Sequence, residues 1–166
     1  VSQWFTGARA GQDPRLADVG PRFAARIIDS VAVAVLVLGV NTAFGITLLD
    51  KNNLLTGGAV VAQLVTALLY EVPSTAIFGQ TFGKRIMKIR VVRIESGAVP
   101  GGGRALLRFS VPLVAQQLPG IIGLLAYMVV QLWFLWDPRR QNIPDKVART
   151  LVVKVGAETP GVIDVG

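Results

Sequence analysis

The sequence predicts an all-α membrane protein: a bundle of three to four transmembrane or re-entrant helices, with a small cytoplasmic β-pairing between a loop and the C-terminal tail. Three observations carry this reading. The mean hydropathy is +0.55, and 52% of the 166 residues are hydrophobic against 16% charged, more apolar than a water-soluble domain of this length. Uncharged runs long enough to cross a hydrocarbon core about 30 Å thick, which takes roughly 20 helical residues, recur along the chain. The Lys and Arg residues gather between those runs, where cytoplasmic loops carry them.

Residues 1–21 are polar and broken by Gly and Pro, a lead-in whose Trp4 and Phe5 suit the headgroup level. The first span covers about 23–48. No short apolar stretch with a small-residue cleavage site precedes it, so it is expected to act as an anchor rather than a removed signal. Asp50, Lys51, Asn52 and Asn53 form a short turn, and the second span covers about 54–78; so short a connection makes the two an antiparallel hairpin. From Gly83 to Arg108 the chain is basic, opposed only by Glu95. Lys84, Arg85, Lys88, Arg104 and Arg108 are the candidate lipid-headgroup contacts of this segment. Within it IRVVRIE alternates as a strand does.

An uncharged run follows from Phe109 to Trp136, broken near 118–120 by Leu-Pro-Gly and ending in an aromatic belt of Trp133, Phe134 and Trp136. As one helix it would export the basic tail; as a broken pair it returns the tail to the cytoplasm, where RTLVVKV can pair with IRVVRIE and cover both edges. Residues 22–155 thus make one transmembrane domain and 156–166 a C-terminal tail. Both ends are expected in the cytoplasm.

Composition removes several functions. There is no Cys and no His, which excludes disulfides, thiolate nucleophiles, imidazole proton transfer and metals or haem held by those ligands. GQTFGKR is not a phosphate loop, because the glycine spacing is short and Arg rather than Ser or Thr follows the Lys. No enzyme and no cofactor are expected. The formal charge of +7 flanks apolar runs, so it points to membrane lipids and not to nucleic acid.

The chemistry that remains lies in charges at the membrane. Arg22, Arg26 and Asp29 are spaced i, i+4 and i+7, one stripe of a helix, and Asp29 abuts the charge-free run from Ser30 to Leu49. Glu71 stands alone in the second span. Charges inside a bilayer are costly and turn toward the bundle interior. The spacing predicts that Arg22 or Arg26 neutralises Asp29. Glu71, without a basic neighbour in sequence, is expected as a neutral acid, either exchanging protons or hydrogen-bonding across helices. Pro73 releases the Leu69 carbonyl and predicts a kink. Asp145 is placed to cap a short helix or to reach an Arg at the start of the first span. Arg22, Arg26, Asp29, Glu71 and Asp145 form the candidate ion, proton or buried polar network.

RFAARIID, GQTFGKRIMKIRVVRIESG, RALLR and LWDPRRQNIPDKVARTLVV occur in the order and with the turn chemistry of the RDD family of small bacterial integral membrane proteins, named for an Arg and two Asp. The chain resembles that family over roughly Pro21 to Lys154. The resemblance implies that Arg22, Asp29 and Asp145 are the naming residues. It also maps a TxGK element on Thr81, Gly83 and Lys84, and a DxxAxT element on Asp145, Ala148 and Thr150. Arg149 departs from the pattern, since the family often has Gly there. It implies the bacterial plasma membrane and a suspected role in transport, some members resembling sodium(potassium)/proton antiporters. Two functions are therefore expected to compete. One is exchange of protons for a monovalent cation at Asp29 and Glu71, along a pathway between copies of the chain; the other is a non-catalytic accessory or assembly role in a larger membrane complex.

Overall fold

The computed structural model describes residues 15–45 and 57–156. Trp4 and Phe5 of the lead-in, the turn at Asp50 to Asn53 and nearly all of the 156–166 tail lie outside the described residues. The described chain is mostly helical. Its elements are α1 (Val19–Ala43), α2 (Gly57–Pro73), α3 (Phe82–Ile86), β1 (Ile89–Arg93), α4 (Gly102–Gln116), α5 (Gly120–Leu132), α6 (Ile143–Val147) and β2 (Thr150–Lys154).

Two helices are long and apolar enough to cross a membrane, Val19–Ala43 and Val60–Phe78, and only 11% and 6% of their apolar windows are buried within the protein. A helix that served as the core of a soluble domain would be covered; Val31, Val35, Leu38, Val61 and Leu69 are exposed instead. This pattern is consistent with a membrane protein. α1 tolerates Pro21 because the first turn has no use for its missing N–H. It ends at Gly45, in the left-handed region (φ 69°), whose N–H donates to the Thr42 carbonyl. α2 answers Pro73 not with a bare kink but with one π-helical turn, Ser74–Phe78; the Ser74 hydroxyl donates to the Tyr70 carbonyl at 2.6 Å.

The run 109–136 divides where Leu-Pro-Gly stands. α4 begins ahead of it, carrying Arg104 and Arg108 on the helix, and α5 starts at Gly120 (φ 56°). A Cβ at Gly123 would strike the Leu118 carbonyl, so this reversal needs a glycine one turn into α5. The aromatic belt is only partly present: Trp133 and Trp136 are exposed, but Phe134 is buried beneath the Arg22 guanidinium, 5.8 Å from its ring centre.

β1 and β2 pair antiparallel, Ile89 opposite Lys154 and Arg93 opposite Thr150. Leu16 bridges to Val153, so the residues leading into α1 lie on the same ribbon. Both faces are covered, one by Ala17, Ala25, Ile89, Val91 and Val152, the other by Leu16, Val92, Leu151 and Val153. This ribbon ties the start of α1 to the end of the described chain, and that tie brings residues 22 and 145 together.

Candidate functional site

Asp29 is 6% exposed, and its partners come from α2 and the segment that follows it rather than from its own helix. Tyr70 Oη donates to Oδ1 at 2.7 Å, the Gly83 N–H to Oδ1 at 2.8 Å, and Thr81 Oγ1 to Oδ2 at 2.5 Å. Lys84 Nζ stands 4.0 Å from Oδ2 and donates to Thr81 Oγ1 at 3.2 Å. Three hydrogen-bond donors fix the orientation of this side chain. Gly83 has to be glycine here: a Cβ would meet the Ala25 carbonyl and lie 3.0 Å from Asp29 Cγ. The Thr-x-Gly-Lys segment is thus a cradle for the protein's own carboxylate. Burial pulls the Lys84 ammonium below its ordinary 10.5, with Glu71 and Asp29 opposing that pull.

The expectation that Arg22 or Arg26 neutralises Asp29 is corrected. Their ion-pair partners are Asp145 and Glu71, because helix–helix packing and the terminal ribbon deliver those acids to the same stripe. Arg22 Nη1 lies 3.4 Å from Asp145 Oδ2, and its Nη2 donates to the Val152 carbonyl at 3.1 Å. Asp145, fully buried, also binds Arg108 Nη1, which donates in addition to Thr150 Oγ1 at 2.6 Å. Asp145 both caps and pairs. Its N–H donates to Asn142 Oδ1 at 2.8 Å, while its Oδ2 accepts from the Asn142 N–H at 3.2 Å, a capping box that starts α6.

Glu71, expected without a basic partner, faces Arg26: Nη1 to Oε1 is 3.7 Å, with both side chains partly exposed. Arg26 Nη2 donates to Tyr127 Oη on α5 at 2.9 Å. Of the five expected headgroup contacts, Lys84 and Arg108 turn inward to Asp29 and Asp145, and Arg104 pairs with Glu95 at 2.8 Å. Arg85, over the Phe78 ring, and Lys88 remain exposed. Sequence reasoning missed Tyr70 and Tyr127; a tyrosine beside an intramembrane acid, as Tyr70 is to Glu71, is the signal available.

These groups surround one cavity of about 240 Å³, lined by Arg22, Arg26, Asp29, Glu71, Lys84, Arg108 and Asp145 among others. Apolar helices around a cavity walled by ion pairs are consistent with a helical membrane protein that has a charged centre. The chain belongs to the RDD family, whose model matches residues 16–149. No curated protein and no solved structure matches it.

Proposed function

We propose that the protein is a multi-pass protein of the bacterial plasma membrane that exchanges a monovalent cation for protons at Glu71. The observation that carries this is the difference between the cavity's carboxylates. Asp29 and Asp145 are held by donors on both oxygens, whereas Glu71, within an apolar helix, has one ion pair within 4 Å among the described residues, to Arg26 at 3.7 Å, with Lys84 acting on it from farther away. At 3.7 Å the pair is not drawn into a hydrogen bond, so Glu71 can trade Arg26 for a proton or a cation while Arg26 keeps the Tyr127 hydroxyl. Binding of one excludes the other, which is the minimum that exchange requires. In this reading the basic segment around β1 faces the cytoplasm.

Purified protein in liposomes is expected to dissipate an imposed pH gradient when sodium, lithium or potassium is added, and Glu71→Gln to abolish the response while remaining folded. Equal traces for Glu71→Gln and the parent would sink the assignment.

A further inference from the structure

Hydrogen-bonding capacity around the cavity is lopsided. A carboxylate accepts about four donors. Asp29 is surrounded by four, from Tyr70, Gly83, Thr81 and Lys84. Asp145 is likewise filled, by Arg108, Thr150, Arg22 and the Asn142 N–H. The cations keep donors in reserve. A guanidinium carries five N–H groups, yet among the described residues Arg108 engages Asp145 and Thr150 through Nη1 alone, and Arg22 Nε is buried without a hydrogen-bond partner.

Charge tells the same story. Four cationic side chains line the cavity against three carboxylates, and Arg22 and Arg108, 8% and 9% exposed, share the single charge of Asp145. A buried cation without full compensation is expensive. The cavity therefore offers surplus donors and surplus positive charge to an acceptor-rich anion. Its volume corresponds to about eight waters at roughly 30 Å³ each, room for a phosphate group. Phe23 and Met128, which also line it, are half exposed and give the opening an apolar border.

We infer that the cavity is a phosphate site, engaging the phosphate of a membrane phospholipid or free phosphate through Arg22, Arg26, Lys84 and Arg108. The apolar border suits a lipid whose chains lie against Phe23 and Met128. The inference stands apart from cation exchange, and flux plays no part in its test.

The full chain, purified in detergent and stripped of lipid, is titrated with short-chain phosphatidylglycerol, diacylglycerol and inorganic phosphate, and read by native mass spectrometry and thermal unfolding. One phosphatidylglycerol or one phosphate per chain is expected to bind and raise Tm, with diacylglycerol inert. Arg26→Gln with Lys84→Gln should weaken binding roughly tenfold or more, and Arg26→Gln alone by less; Arg26→Lys with Lys84→Arg should retain it. Binding of the lipid alone assigns the phosphate to lipid; binding of inorganic phosphate assigns it to the free ion. Diacylglycerol binding as well as phosphatidylglycerol, Gln variants binding like the parent, or no binding of either phosphate-bearing probe overturns the inference. The lipid arms decide without any variant, so a double variant that fails to fold does not shelter it.

Discussion

Asp29→Asn tests whether the first acid is a structural counter-ion. The substitution keeps shape but replaces one oxygen by an NH2 group and removes the charge. Asn can still accept from the Gly83 N–H; it leaves Lys84, whose side chain is 14% exposed, without its neighbouring carboxylate. At the observed 4.0 Å a pair of unit charges is worth about 4 kcal/mol at an effective dielectric constant near 20. Breaking a buried pair costs about 3–5 kcal/mol, a large share of a total stability of roughly 5–15 kcal/mol. Unfolding of the detergent-solubilised protein by urea, followed through tryptophan fluorescence, gives the loss directly. Adding Lys84→Met removes the stranded ammonium, so the double variant is expected to be less damaged than the two single losses combined. A loss below about 1 kcal/mol, as for an exposed pair, or strict additivity in the cycle, would refute the account of Asp29.

Gly83→Ala is expected to abolish folded protein in detergent, as judged by a monodisperse peak on size exclusion, since its Cβ has the Ala25 carbonyl as its nearest obstacle and backbone cannot yield cheaply. Arg149 adopts φ 52°, a left-handed conformation costing a residue with a side chain roughly 1–2 kcal/mol. Arg149→Gly, after the entropy glycine loses on folding, should stabilise by about 0.5 kcal/mol and raise Tm by about 1–2 °C. The Asp18 carboxyl is held below its ordinary 3.8 by hydrogen bonds from Lys154 and then Arg140. A lowered folded value means that its contribution is fully present above pH 3.8 and is lost as pH falls through the lower folded value. The Tm difference between parent and Asp18→Asn should therefore be constant well above pH 3.8, fall away as pH drops from there through the lower folded value, and shrink in high salt.

The elements were legible where hydropathy and turn residues speak together: two apolar helices, a break at Leu-Pro-Gly, and two alternating segments that pair. The stripe of Arg22, Arg26 and Asp29 was legible too, because it depends only on the 3.6-residue period, and all three do line the cavity. Partner choice was not. Arg22 meets Asp145 across 123 residues and Asp29 meets Gly83 across 54, contacts set by how helices and the terminal ribbon pack. The same limit explains Lys84 and Arg108. Position along the chain places them beside a span; only the face they occupy decides whether they meet headgroups or a carboxylate. Phe134 left the aromatic belt for the same reason.

The ribbon that joins Leu16 and Ala17 to β2 has a consequence for biosynthesis. While the ribosome is still making the last described segment, α1 is already complete, and Arg22 and Arg108 wait for an acid that has not been translated. The nascent protein therefore cannot close its charged centre until residues 145–154 emerge, and a stop codon before Asp145 would release a chain in which Arg22 and Arg108 lack that carboxylate.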